Sequence, residues 1–284
     1  MNEEEKSLTI RRILVALDAS THSLAALEAA AELAASLHAE LSGLYVEDEN
    51  LVHLAGLPFA SEVRSPSAAS RPVSSIEMET AMRLQAAQAR RALETAALRA
   101  GARWSFRVVR GQVTASILAA ALEADLLAMG RIGRPVSART HLGSSARAIM
   151  TRAGRSVLLL EHGRHLHHPI LVTFDGSPAA RQALMAAAQL TQTSSDKLNI
   201  LLLGEPEEKT KLQQEAVTLL DRLGLTARHQ RYHWLKEISI AALVEHIETA
   251  ENCVLVLGGD NPLLEAENIQ ELLDRTDCPV MLVR

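Results

Sequence analysis

The chain has 284 residues, enough for two compact domains and too few for a large multidomain assembly. Hydrophobic residues make up 48% and charged residues 22%, an ordinary globular balance that excludes wholesale disorder. Aromatics are only 2%, which leaves Ala, Leu, Val and Ile to fill the core and little to stack on bases. With a formal net charge of -5 the main driving force for binding DNA or RNA is missing.

The chain starts MNEEEKSLTIRR, acidic and without the apolar core of a signal peptide, and no later window nears the run of about eighteen apolar residues that spans a membrane. A cytoplasmic protein with neither a membrane nor a nucleic-acid partner is expected. The first apolar run, ILVALDAS, ends in a turn, as a strand buried on both faces does. An alanine-rich helix opened by Ser20 follows, and then a strand LSGLYV at 41–46. The segment 47–73 carries Pro58, Pro66 and Pro72 among Ser and Ala and reads as a loop or lid of unreadable position. Beyond it come a helix from about Ser75 to Ala100, a strand around Trp104–Val109 and a helix around Val113–Leu122. The strand DLLAMG at 125–130, a glycine-bearing loop, a short helix near Ser145–Ala153 and the strand SVLLLE at 156–161 complete the unit. This β/α alternation demands a doubly wound α/β fold with a five-stranded parallel sheet flanked by helices.

The alternation then starts again. RRILVALDASTHSLAALEAAAELAASLHAELSGLYVED matches HPILVTFDGSPAARQALMAAAQLTQTSSDKLNILLLGE without a gap, at a constant offset of 157 residues. Ile13, Leu14, Val15, Asp18 and Ser20 recur as Ile170, Leu171, Val172, Asp175 and Ser177. Two tandem domains, 1–163 and 168–284, follow from this, joined by the polar linker EHGRHLHHP. In the second, strands at 198–203, 227–234, 253–258 and the closing PVMLVR alternate with helices in 206–223, 239–250 and 263–275. The last strands of the two domains, each an otherwise exposed edge, are expected to pair within the chain, while association of two chains stays open.

The informative loop follows DLLAMG. Gly130, Gly133 and Gly143 stand in the pattern Gly-x-x-Gly, nine residues, Gly-Ser, with Ser144 and Ser145 opening the next helix. Glycine permits positive φ or close approach to a ligand, and backbone N–H groups at a helix start cradle phosphates; the same glycines equally well punctuate a loop. Arg131 and Arg134 add positive charge beyond the carboxyl end of a strand, where open α/β sheets bind ligands. Asp18 ends the first strand and faces the same crevice if the first and fourth strands adjoin. Its carboxylate suits a ribose hydroxyl or an adenine amino group, and it equally suits a turn, as Asp175 does.

Together, VALDAS, GRIGR and LGSS at this spacing resemble the ATP-binding class of the universal stress protein family, over nearly the whole chain, with the second domain a degenerate copy. The resemblance implies an adenine nucleotide alpha-hydrolase-like fold. It implies that Asp18 binds the ribose or adenine side of ATP, that backbone at Val46 meets the adenine, and that Ala16 and Leu17 line the base pocket. It further implies Met129 and Gly130 beside the ribose, and Gly133, Gly143, Ser144 and Ser145 on the phosphates, with magnesium. Arg131 occupies a variable position of that motif, so its place in the site is an electrostatic expectation. The second domain departs from the pattern: Gly258 to Val280 spans 22 residues against 27 from Gly130 to Val157, the Gly-Ser is missing, and Asp260, Glu265 and Glu267 would repel a triphosphate. Residues 1–163 carry 18 basic and 17 acidic side chains, and residues 164–284 carry 11 and 17, so the acidic half is the poorer host for an anion. Nucleotide is expected in the first domain only.

Other constellations carry less. His162, His165, His167 and His168 crowd the linker without a completing ligand pattern, and no metal site is expected there; His141 reads as an exposed loop histidine. Cys253 and Cys278 lack Cys-x-x-Cys spacing and begin neighbouring strands, where they can approach each other as thiols. Three readings follow. They are a nucleotide-binding stress or signalling protein without catalytic residues, an enzyme hydrolysing ATP slowly, and a nucleotide-free scaffold. No Gly-x-x-x-x-Gly-Lys-Ser/Thr motif, Ser-Gly-Gly-x-Asp-Ser loop or evident water-activating base favours the enzyme.

Overall fold

In a computed structural model of the chain, residues 10–64, 69–131, 142–160, 169–194, 197–225, 230–250, 253–259 and 266–284 are described. The first half runs β1 (Arg12–Leu17), α1 (Thr21–Ser36), β2 (Glu40–Asp48), α2 (Glu49–Ala55), β3 (Ser61–Arg64), β4 (Ala69–Pro72), α3 (Ser75–Ala100), β5 (Arg103–Gly111), α4 (Val113–Ala121), β6 (Leu126–Gly130), α5 (Ser144–Arg152) and β7 (Ser156–Leu160). The second runs β8 (Ile170–Phe174), α6 (Pro178–Ser194), β9 (Leu198–Leu203), α7 (Lys209–Arg222), β10 (Gln230–Leu235), α8 (Ile240–Thr249), β11 (Val254–Gly258), α9 (Ala266–Arg275) and β12 (Val280–Val283).

Burial explains the strand sequences. The inner strands β7, β8, β11 and β12 are buried at every position and read as apolar runs apart from the buried Ser156 and Thr173, whereas the edge strand β5 alternates between exposed and half-buried residues. Helix boundaries have local causes as well. Ser20 Oγ accepts the N–H of Ser23 at the start of α1, Ser74 Oγ accepts that of Glu77 at the start of α3, and Gly101 ends α3 at φ +74°.

All strands but β3 and β4 join one ten-stranded sheet in the order β10-β9-β8-β11-β12-β7-β6-β1-β2-β5. Pairing is parallel within each half. At the middle, β12 meets β7 antiparallel, with Val280 opposite Leu159 and Leu282 opposite Val157, the edge-to-edge pairing that the apolar last strands imply. Helices α1, α3, α6 and α7 cover one face of the sheet and α4, α5, α8 and α9 the other, each over a buried layer that runs through both halves. These layers are built of Ala, Leu, Val and Ile, and Phe174 is the largest fully buried side chain. Arg284 fastens the seam: its N–H donates to Ser156 Oγ at 3.2 Å, and its guanidinium donates to the carbonyls of Ala153 and, at 2.7 Å, Met150 at the end of α5.

One expectation needs correction. The 47–73 segment is not a plain loop: it holds α2 and the antiparallel hairpin β3–β4, in which Glu62 pairs with Arg71. A helix starts right after β2 because Asp48 caps it, accepting the N–H of Asn50 at 3.0 Å. The helix expected in 206–223 is α7, preceded by a 3-10 turn over Pro206–Glu208 that Pro206 and the side chains of Glu205 and Glu208 set.

Candidate functional site

Strands β1 and β6 pair directly, Ile13 opposite Leu126 and Val15 opposite Ala128, and the helices that follow them lie on opposite faces of the sheet. A crevice therefore opens at their carboxyl ends, where the strand order switches. It holds a cavity of about 710 Å³, within the range of small-molecule sites.

The floor is the end of β1, Ala16, Leu17 and Asp18. Asp18 is half-buried and folded into a turn: its Oδ1 accepts the N–H of Ser20 at 3.0 Å, and its own N–H donates to Ser23 Oγ at 3.4 Å. This turn forces Ala19 to φ +58°, a left-handed conformation that costs a non-glycine residue about 1–2 kcal/mol. The turn and the ligand reading of Asp18 are compatible, since the turn uses one of two carboxylate oxygens.

Strand β6 contributes Met129 and Gly130 to the wall. A Cβ on Gly130 would lie 3.0 Å from the carbonyl carbon and oxygen of His22, so helix α1 itself demands the glycine. Gly143, Ser144 and Ser145 form the opposite rim at the start of α5. Gly143 sits at φ −65° and ψ 149°, which any residue adopts, and its N–H donates to the Arg131 carbonyl at 3.0 Å. No side chain caps the first amides of α5, and they open on the cavity wall.

Val46 lines the cavity from β2. Arg131 does not line it. Its N–H donates to the Leu160 carbonyl at 2.9 Å, extending the β6–β7 ladder by one residue, and its side chain is only 3% exposed. The guanidinium lies close enough to Cys278 of the second half to act on that thiol, whose pKa is raised by its hydrogen bond with Cys253 and by burial, an effect the positive charge partly offsets. The positive charge expected beside the glycine loop is thus turned into the seam, and the residue serves the site through its carbonyl. Gly133, Arg134 and His141 lie outside the described residues.

The cavity also has walls that the motifs do not reveal. The first turns of α3 bring Glu77, Met78, Met82 and Gln85, and Tyr45 on β2 donates its hydroxyl proton to Gln85 Oε1 at 2.9 Å. The 47–73 segment adds Asp48, Leu51 and Arg71, with Arg71 3.5 Å from Glu77. Among the described lining residues Arg71 is the cation, against the carboxylates of Asp18, Asp48 and Glu77. Behind the cavity Arg110 on β5 bonds Glu47 on β2 at 2.9 Å and Glu79 on α3 at 3.0 Å. These hydrogen bonds, that to Glu47 first, raise the Arg110 pKa and tie α3 to the sheet. The signal for these residues was the 3.6-residue spacing of Met78, Met82 and Gln85, which marks one helix face but not what it faces.

The second half repeats the frame. Asp175 Oδ1 accepts the N–H of Ser177 at 2.9 Å, as Asp18 does for Ser20, with Gly176 at φ +78° in place of Ala19. Gly258 is under the same constraint as Gly130: a Cβ there would lie 2.7 Å from the carbonyl of Ala179. Above this floor, however, Leu212 of α7 packs so closely that a Cβ on Gly176 or Gly204 would come within 2.9 or 3.0 Å of it, and the leucine is buried. Asp260 and Glu265 lie outside the described residues. No helix among the described residues is long and apolar enough to cross a membrane, and no group of three or more His, Cys, Asp or Glu among them is placed to hold a metal ion.

Comparison with known proteins agrees with this architecture. The model of the universal stress protein family matches residues 9–161. No curated protein matches the sequence. Among solved structures, a universal stress protein from Archaeoglobus fulgidus DSM 4304 aligns at 16% identity over 98% of this chain and 99% of its own, with a TM-score of 0.71. A putative universal stress protein from Pseudomonas aeruginosa UCBPP-PA14 aligns at 14% identity over 98% and 94%, with a TM-score of 0.59. A protein of the universal stress protein family from Burkholderia pseudomallei is 31% identical over 56% of this chain and 98% of its own, with a TM-score of 0.36.

Proposed function

Because the chain belongs to the universal stress protein family, we propose that the cavity of its first half holds one adenine nucleotide, ATP with magnesium, and that the protein acts as a nucleotide-dependent stress or signalling component. The observation that carries this reading is a convergence. Ala16, Leu17, Asp18, Val46, Met129, Gly130, Gly143, Ser144 and Ser145, picked out by motif from four separate stretches of sequence, share one cavity of about 710 Å³.

The chemistry of the walls fits such a ligand. Met129, Val46 and Ile117 offer apolar surface to a flat base, and the Val46 backbone supplies hydrogen-bonding groups at its edge. The Asp18 oxygen outside the turn accepts from a ribose hydroxyl. The uncapped amides of α5 meet the phosphates, to which the helix dipole adds favourable charge. The lining carboxylates outnumber Arg71, so a triphosphate needs a divalent cation to offset the repulsion. Magnesium supplies that charge when bound; Ser144 and Ser145 are the hydroxyls at hand for it.

The test is direct. The purified protein is denatured and any released nucleotide identified and counted, and the emptied protein is titrated calorimetrically with ATP and magnesium. About one adenine nucleotide per chain is expected, lost in Gly143→Leu while folding is retained. Undiminished binding by that variant overturns the site, and phosphate accumulating faster than nucleotide dissociates replaces the binder with a hydrolase.

A further inference from the structure

The second half carries a group that the nucleotide reading does not use. Strands β11 and β12 pair in parallel with Leu255 opposite Val280, and the Leu255 N–H donates to the Pro279 carbonyl at 2.9 Å. Carried two residues back, just outside the two strands, this register sets Cys253 opposite Cys278. Neighbouring strands run about 4.8 Å apart, which lies inside the Cα separation of about 4.4–6.8 Å that a disulfide spans. The two thiols are hydrogen-bonded to each other, and they are the only cysteines in the chain.

Both thiols are buried, Cys253 at 1% and Cys278 at 8% exposure, in the apolar layer that also holds Ile269, Leu272 and Leu273. The antiparallel seam sets the start of β12 beside the end of β7, which brings Arg131 of the first half up to Cys278. The hydrogen bond from Cys278 lowers the Cys253 pKa and, with burial, raises that of Cys278, so the pair ionises first at Cys253.

We propose that Cys253 and Cys278 are a redox-active dithiol that a peroxide converts to an intramolecular disulfide across β11 and β12. The Cys253 thiolate attacks one peroxide oxygen, the O–O bond breaks, and a sulfenic acid forms as the other oxygen leaves as water after taking up a proton. The Cys278 thiol then attacks the Cys253 sulfur, an S–S bond forms, and the sulfenic hydroxyl leaves as a second water. Two electrons pass from the dithiol to the peroxide. A thiol reductant reverses the change.

The full-length protein is exposed to hydrogen peroxide under native conditions, quenched, unfolded and titrated for thiols. The expected result is a fall from two free thiols to none, the mass of two hydrogens lost per chain, a peptide joining Cys253 to Cys278, and recovery of both thiols with dithiothreitol. Cys278→Ser should instead stop at a trappable sulfenic acid on Cys253. Two thiols persisting after exposure, sulfinic acid without a cross-link, or a disulfide only between chains would each overturn the proposal.

Discussion

The two crevices of this molecule share a floor and differ in what stands above it. In each, an aspartate closes a turn at the end of the first strand, a serine caps the following helix, and a glycine on the fourth strand lets that helix approach. Asp18 borders a cavity; beside Asp175, among the described residues, Leu212 packs closely against Gly176 and Gly204, and Phe174 stands where the first half has Leu17. Features common to both halves are therefore needed to fold the βα unit, and only features peculiar to the first half speak for a ligand. By that criterion Gly130 is a packing residue, and Gly143, whose backbone needs no glycine, is the more telling one.

Four perturbations probe this contrast. Leu212→Ala removes the side chain that packs against Gly176 and Gly204 and should destabilise the protein by about 2–5 kcal/mol, read by chemical denaturation; a loss below about 1 kcal/mol would mean that the leucine is not packed there. Asp18→Ala should weaken ATP about 10- to 100-fold, as loss of a charged hydrogen bond does, while Asp175→Ala leaves nucleotide affinity unchanged. Equal effects of the two would erase the asymmetry.

Gly258→Ala and Gly130→Ala should each cost about 1–3 kcal/mol through overpacking, with Gly258 the worse because its closest backbone neighbour is 2.7 Å away against 3.0 Å. Thermal denaturation orders them. Smallest of all, Ala19→Gly should raise stability by up to about 1 kcal/mol by relieving the left-handed alanine, whereas Gly176→Ala should lower it by at least as much. A destabilised Ala19→Gly protein would mean that the alanine is held there without strain.

Much of this was legible in the sequence because it is local. Continuous apolar runs mark buried parallel strands, Ser20 and Ser74 announce helix starts, and the offset of 157 residues exposes the second frame. The strand pairing that joins β7 to β12 follows from two apolar edges. What stayed hidden depends on distant contacts. Pro and Ser in 47–73 mask a helix and a hairpin, and nothing nearby shows that Arg71 returns to the cavity wall. Arg131 reads as a phosphate ligand by position, yet one more ladder bond to Leu160 keeps it in the sheet and leaves it facing a cysteine 147 residues further on. The packing of Leu212 against Gly176 and Gly204 was equally unreadable, since an apolar residue on an amphipathic helix is ordinary in any sequence.

The antiparallel seam at β7 and β12 has a consequence for recognition. Each half carries its crevice at the carboxyl ends of its strands, and the seam reverses strand direction, so the two crevices open at opposite poles of the sheet. A symmetric pair of identical subunits joined this way would present the same surface at both poles and could be bridged or bound twice. On the nucleotide reading proposed above, this chain is polar instead: an occupancy-dependent surface would form at one pole only, and a partner sensing it would meet a single docking end, with the opposite end left for an unrelated contact.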